Sequence, residues 1–353
     1  MKRITFTVLF AASLSLFSQE ARPIRDNVGF CWQRSQMQNL LGYLQKVDTK
    51  KWELRDMVAG ISPHDDYLYA GRIYYPLFRS IRTRQALIFG VTHSAVRREI
   101  NDPQNVIILD DYVSWRGLEA DVPVSLLRQY ITSHLPAADY LVSDKAHSLE
   151  HSIEALVPFL QYFNPDIQIT PVMVAPMPLE RMQALSEKLA GVIAEYIQGN
   201  SLQLGRDIFF LVSTDANHYG PDFSNSPFGL DEEAHEKGTA QDLRIANTYL
   251  SGEIDAAKVE GLTRELWGAT YRDSRDIYWC GKYDIPFGML TISKIVEKVL
   301  GKKLRGEILR YSDTYSEGVI PLKNPGFGIT APFSFKHWVG FFSATYSPVP
   351  AVR

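Results

Sequence analysis

Ala86-Leu-Ile-Phe-Gly-Val-Thr-His93 opens with six residues that carry no polar side chain, and it ends on a threonine and a histidine. A run this short, apolar at successive rather than alternate positions, is the pattern of a strand buried on both faces. Met57-Val-Ala-Gly-Ile-Ser-Pro-His64 has the same form, with its strand predicted over Met57–Ile61. Ile208–Val212 (Ile-Phe-Phe-Leu-Val) is the most hydrophobic run and stops at Ser213-Thr-Asp-Ala-Asn-His218. Val106–Leu109, Ile167–Val174 and Ile308–Tyr311 complete the predicted strands.

Helical spacing fills the intervals. It predicts helices over Ser35–Lys46, Tyr74–Ile81, Val124–Ile131, Leu179–Ile197, Glu232–Leu250 and Phe287–Val299. A further helix over Ser152–Phe163 passes through Pro158, where a kink is expected. Strands alternating with helices predict an α/β fold, a single domain with a mostly parallel or mixed central sheet flanked by helices. No repeat or low-complexity linker divides the chain, so one domain from 32 to 345 is expected. The tail from Phe327 is aromatic and glycine-rich, and reads as short strands or an arm. Its Phe333, Phe335, Trp338, Phe341, Phe342 and Tyr346 either cover the core or meet another subunit, which leaves the oligomeric state open.

The bulk numbers exclude two classes. Across 353 residues, 37 basic and 40 acidic side chains are well mixed, for a formal charge of −3. No basic stripe exists to neutralise a phosphate backbone, so nucleic acid is not an expected partner. Mean hydropathy is −0.14, and no long uncharged run follows the N-terminus, which excludes a polytopic membrane protein.

Met1-Lys-Arg3 followed by the apolar or hydroxylic run Ile4–Phe17 reads as a signal peptide over residues 1–18, cleaved near Ser18. The alternatives are an uncleaved anchor or a buried first helix. Export to the periplasm or medium is therefore expected. An oxidising compartment would permit a bridge between the two cysteines, Cys31 and Cys280, and such a bridge would take Cys280 away from any metal.

In open α/β sheets ligands gather at the carboxyl ends of the strands. His64 and His93 sit at like offsets beyond two predicted strands, taken as neighbours, and are placed to share one ion. Cys280, in Tyr278-Trp-Cys-Gly281, offers a third donor. Imidazole with thiolate suits iron, copper or zinc and suits magnesium or calcium poorly. Three protein donors also leave the open position that a catalytic metal requires. Five of the eight histidines fall in four polar segments: Ser62–Gly71, Thr92–Ser94, His147–Glu154 and Ser213–Gly220. Asp215 and His218, three apart, read as a pair in which one orients the other. Together with His151 and Glu150 they are the candidate acid, base or oxyanion groups. Structural alternatives stand beside these: a capping histidine, a buried apolar thiol at Cys280, and glutamates Glu150 and Glu154 that favour a helix N-terminus.

At these residues the chain resembles the Memo family, known in bacteria and archaea as "AmmeMemoRadiSam system protein B". The matching stretches are Ile61-Ser-Pro-His64 with Tyr67, Tyr69 and Gly71, then Gly90-Val-Thr-His93. His147-Ser-Leu-Glu-His-Ser-Ile-Glu154 follows with Leu156 and Pro158, then Ser213-Thr-Asp215 with His218-Tyr219, and finally Cys280-Gly281. They keep the family's order from about residue 57 to 313.

The resemblance implies a domain like that of class III extradiol dioxygenases. It also implies a pocket lined by His64, His93 and Cys280 that is linked to iron or copper, zinc being less expected. A eukaryotic member is associated with motility signalling and phosphotyrosine-peptide recognition, which is not carried over to an exported chain. Where the family has Ala-Gly after Pro-His, this sequence has Asp65-Asp66, and one of these could complete a two-histidine, one-carboxylate set.

The expected function is a non-haem iron or copper redox enzyme acting on a small molecule or peptide in the metal cleft. The alternatives are a non-enzymatic metal- or peptide-binding module, or a zinc-type hydrolase with Glu150 or Asp215 as base. Against the hydrolase, the chain has no His-Glu-x-x-His helix. It has no glycine-rich dinucleotide loop or Walker motif either, so no nucleotide cofactor is expected.

Overall fold

Phe89 and Leu87 point to one side of their strand and Ile88 and Ala86 to the other, each side meeting its own buried cluster. Phe210 and Val212 part from Phe209 and Leu211 in the same way. A strand covered on both faces has no polar alternation to show, which is why these runs are continuous. The computed structural model describes residues 20–52, 54–267, 270–272 and 279–350; the predicted leader, 1–18, lies outside them.

Among the described residues the main sheet has ten strands. They are Ala59–Ser62 (β1), Gln85–Val91 (β2), Ile107–Leu109 (β3), Tyr140–Val142 (β4), Gln168–Val174 (β5), Ile208–Ser213 (β6), His218–Tyr219 (β7), Gly252–Ile254 (β8), Lys303–Asp313 (β9) and Trp338–Val349 (β10). Their order is β8-β9-β10-β1-β6-β2-β5-β3-β4, with β7 paired to β10. The centre, β1-β6-β2-β5, is parallel. On one flank β10, β9 and β8 run antiparallel, and on the other β3 is antiparallel to β5. The sheet is therefore mixed around a parallel core.

Eight longer helices cover it: Arg34–Val47 (α1), Tyr67–Phe78 (α2), Leu126–His134 (α3), Val157–Phe163 (α4), Leu179–Gly199 (α5), Glu232–Tyr249 (α6), Ala256–Leu266 (α7) and Asp284–Leu300 (α8). Helices α1, α2 and α4 bury their apolar residues on one face, and α3, α5, α6, α7 and α8 on the other. No helix of the described residues is long and apolar enough to cross a membrane.

Three predicted helices differ from the sequence expectations, and α7 and the short strands β4, β7 and β8 were not anticipated. Helix α2 begins at Tyr67 rather than Tyr74, because eleven of its twelve residues are buried and no polar stripe marks its first turns. The predicted helix through Pro158 is instead a 3-10 turn, Glu154–Leu156, leading into α4. Pro158 then sits in the first turn of α4, where a missing N–H costs nothing and no kink is needed. Helix α3 starts later than expected, at Leu126, behind a Ser125 side chain that accepts the Leu127 N–H at 3.2 Å.

The aromatic tail is not an arm. It returns as β10 beside β1, with Ala344 opposite Ile61, and buries Phe341, Phe342 and Tyr346 in the core. Before the domain proper, Ala21–Arg22 joins a small sheet with Ser114–Trp115 and Val122–Pro123.

Candidate metal centre

Strands β1, β6 and β2 lie side by side and parallel, with Ser62 level with Ser213 and Ser213 level with Gly90. Their carboxyl ends deliver His64, Asp215 and His93 to one place. The two histidine strands are therefore not neighbours, as the sequence suggested; β6 runs between them and contributes side chains of its own. Cys280 arrives from the far side, just ahead of α8. A nitrogen of His64, a nitrogen of His93 and the Cys280 sulfur all lie within 4.8 Å of one another.

Each imidazole is held in a defined tautomer. The Ser213 hydroxyl donates to the Ser152 carbonyl at 2.5 Å, so its oxygen is left to accept the His64 Nδ1–H at 3.2 Å. The lone pair of His64 therefore sits on Nε2, which is 3.5 Å from the Cys280 Sγ. His93 Nδ1–H donates to Glu150 at 2.8 Å, which leaves its Nε2 bare as well. Carboxylate partners of this kind fix ring orientation and raise ligand basicity.

Glu150 is buried and accepts further N–H groups from the His93, His151 and Ser152 backbone at 2.9, 2.8 and 3.0 Å. Burial alone would raise its carboxyl, but the His93 charge and hydrogen bond prevail and hold it well below the usual carboxylate range. The same contact lifts His93 above the ordinary imidazole value despite burial. Glu150 thus serves His93 and is not a free base.

Asp215 contacts His64 rather than His218, which corrects the pairing expected from their spacing. It accepts the His64 backbone N–H at 3.0 Å, and its other oxygen is 3.2 Å from His64 Nε2. Burial pushes this carboxyl up to about 7. His218 instead donates Nδ1–H to the Ala216 carbonyl at 3.3 Å and lies edge-on to Phe223. Burial lowers both His218 and His151 to about 4, so both rings are neutral at pH 7. His151 stacks on His93 with centroids 5.0 Å apart. His147 lies elsewhere, buried against Trp115 and donating Nε2–H to the Ile108 carbonyl at 3.1 Å.

Cys280 and Cys31 are both free. The bridge that an oxidising compartment would permit is absent, because Cys31 packs in the core with Phe30 and Met37. The Cys280 sulfur accepts the Asp215 N–H at 3.1 Å. Gly281 lets it approach so closely, since a Cβ there would fall 1.9 Å from the Thr214 hydroxyl. Burial pushes the thiol well above its ordinary value, with the Asp215 and Asp284 charges adding to the effect. A bound cation reverses that preference and yields the ligating thiolate. Two lone-pair nitrogens and one such sulfur fit iron, copper or zinc.

These residues open into a cavity of 390 Å³. Asp65 and Asp66 both line it, but neither belongs to the three-donor group. Asp66 accepts the N–H and hydroxyl of Thr330 at 2.6 and 3.0 Å, which holds the loop before β10 over the site. Burial, with the charges of Asp215 and Asp66 nearby, pushes the Asp65 carboxyl well up.

Residues 31–318 match the family model described as Memo-like protein. The chain belongs to that family. Among its relatives, a MEMO1 family protein of Saccharolobus solfataricus is 29% identical over 269 residues, covering 73% of this chain and 76% of the relative. A MEMO1 family protein of Pyrococcus furiosus is 26% identical over 270 residues, covering 74% and 81%. The Memo-like span takes in His64, His93, Glu150, Asp215 and Cys280. The described segments at 20–30 and 319–350 lie beyond it, yet Asp26, Phe30, Thr330 and Phe333 from those segments line the cavity.

The sequence placed Ser213 in a matching stretch without giving it a role, and it gave no sign of Asp242. Ser213 sets the His64 tautomer. Asp242, on α6, accepts from the Trp279 indole at 2.7 Å, the Tyr311 hydroxyl at 2.8 Å and the Asn217 N–H at 3.3 Å. It thereby ties together the residues preceding Cys280 and His218.

Burial raises Asp242 to about 7. Between about pH 4 and 7 the native state keeps a proton that the unfolded chain has released, so this group lowers stability as pH rises. Urea unfolding between pH 5 and 8 should show that decline, and Asp242→Asn should make it shallower. An unchanged slope in the variant would contradict the assignment.

Proposed function

We propose that this Memo-like protein is a metal-dependent redox enzyme that holds iron or copper on His64, His93 and Cys280. The observation that supports it is the convergence of these three donors within 4.8 Å, with both imidazoles presenting Nε2 because Ser213 and Glu150 occupy their Nδ1 groups. Iron or copper there would supply one-electron chemistry toward a substrate in the 390 Å³ cavity. The chain's own part is to hold the donors in place and to set the Asp215 carboxyl, 3.2 Å from the His64 ring, as the candidate proton carrier beside the substrate. His151 and His218, both neutral, border the same space. The basic and apolar leader supports an exported location for this activity.

Elemental analysis of protein purified without added metal, with oxygen uptake measured in parallel, tests the proposal. Iron or copper near one equivalent, with oxygen consumed in the presence of a phenolic or thiol substrate, is the expected result. Stoichiometric metal without turnover would point to a binding module, and zinc with ester or amide hydrolysis to a hydrolase. Glu150→Gln should lower metal affinity about 10- to 100-fold, because the amide offers one acceptor oxygen and places an NH₂ among four N–H donors. Competition with a metal chelator reads this directly, and an unaltered affinity would remove Glu150 from its role.

A further inference from the structure

The main sheet ends in two edges that are built differently. At one end β8 carries Glu253, and the Lys258 ammonium sits on the Ser251 carbonyl beside it. At the other, β4 is Tyr140-Leu-Val142, without a charge, a proline or a glycine. Among the described residues it pairs with β3 alone, and its outer side is open. Soluble proteins normally blunt such an edge with charge, proline or a covering segment. Leu141 and Val142 are 37% and 45% exposed, and Leu126 on α3 is 71% exposed. Leu126, Val113 and Val142 line a groove of 540 Å³ beside this edge. The tail residues Trp338, Phe341, Phe342 and Tyr346 are buried in the core and are not free to meet another subunit.

The backbone of β4 is complementary to itself. Ser143 donates its N–H to the Leu109 carbonyl at 2.8 Å, so its N–H and, two residues earlier, the backbone groups of Leu141 face β3. Those of Tyr140 and Val142 therefore face outward. An antiparallel copy on a two-fold axis at Leu141 sets Tyr140 opposite Val142 twice, and each pair exchanges two N–H···O bonds. All four outward groups of each strand then have partners. Continued along the chain, this register sets Asp144 opposite Ala138 and Lys145 opposite Ala137, so no like charges meet.

We propose that the protein forms a two-fold dimer in which β4 pairs antiparallel with β4 of a second copy, joining two ten-stranded sheets into one. A foreign strand would match the backbone as well, but no charged side chain between Tyr140 and Ser143 selects one. A second copy brings its own Leu141, Val142 and Leu126 to the contact, and covering them removes an exposed apolar patch from both chains. None of these residues lines the metal cavity, so the dimer needs no metal and reaches beyond the enzyme reading.

Analytical ultracentrifugation of the purified protein tests it, with a dimer that dissociates on dilution as the expected species. At the axis the two Leu141 side chains are direct cross-strand neighbours. Leu141→Lys therefore sets two ammonium groups together and should weaken association at least tenfold, as should Leu141→Glu with its two carboxylates. Mixing the two variants in equal amounts should restore a dimer, because lysine then faces glutamate. Val319→Lys, at a comparably exposed position (47%) next to Ile320, whose N–H is bonded to the Leu68 carbonyl of α2, should leave the dimer unchanged. A single chain at every concentration up to about 100 µM would overturn the proposal. So would Leu141 variants that each dimerise as tightly as the parent, since the interface would then lie elsewhere, or a mixture that associates no better than either variant alone. Recovery on mixing is open only to folded chains, so it also shows that the variants fold.

Discussion

Cys280→Ala is expected to lose stoichiometric metal while keeping its fold. The sulfur is the one soft donor of the group, opposite two imidazole nitrogens on the strand ends. Structural zinc sites with four ligands bind with about 10–16 kcal/mol, so one ligand accounts for roughly 3 kcal/mol. That corresponds to a loss of about 100-fold in affinity. Alanine removes only one sulfur atom from a buried position, and the strands that carry His64 and His93 are far from it in sequence, so the effect on folding should be small. Cys31→Ala is the control, since Cys31 is the other buried thiol and packs in the core away from the cavity. Elemental analysis of both variants decides the matter. Full metal content in Cys280→Ala, or its loss in Cys31→Ala alone, would leave the donor assignment without support.

Arg22→Met should destabilise the protein by about 3–5 kcal/mol, the usual result of breaking a buried ion pair from one side. Arg22 and Glu154 are both about 1% exposed and form such a pair. The guanidinium also donates to the His147 carbonyl at 2.8 Å and the Glu150 carbonyl at 2.5 Å, and lies 4.4 Å from the Trp115 ring centre. Without it, Glu154 keeps only the N–H groups of Arg25 and Asp26, at 2.8 and 2.7 Å. Lysine is not a substitute, because one ammonium cannot reach three acceptors in the planar fork geometry. Urea unfolding of Arg22→Met, Glu154→Gln and the double variant gives the coupling, and the double variant should recover part of the loss. A change below about 1 kcal/mol in Arg22→Met would show that the N-terminal segment is not fastened to the Glu150–Glu154 loop in this way.

The strands were legible because burial on both faces removes polar residues from a short run, and β2 and β6 show this plainly. The start of α2 was not, for a related reason: a helix buried all round has no stripe, so Tyr67–Ile73 lacked the contrast that periodicity needs. The tail showed its aromatics but not its place, since nothing local says that residues near 344 pair with residues near 61. Asp215 and His218 were drawn together by spacing alone. The chain after β6 turns Asp215 toward His64, while the His218 ring donates to the Ala216 carbonyl.

The sequence by itself determined the α/β class and the Memo-like kinship, and it singled out His64, His93 and Cys280, which the fold brings together. Short apolar runs and the residues that end them are local facts. Tertiary structure alone decided that β6 lies between the two histidine strands, and that Glu150 and Ser213 fix the tautomers. It also decided that segments near residues 26 and 333 close one cavity. Those relations join residues dozens to hundreds of positions apart, and only the packing of the sheet and its covering layers brings their atoms within hydrogen-bonding reach.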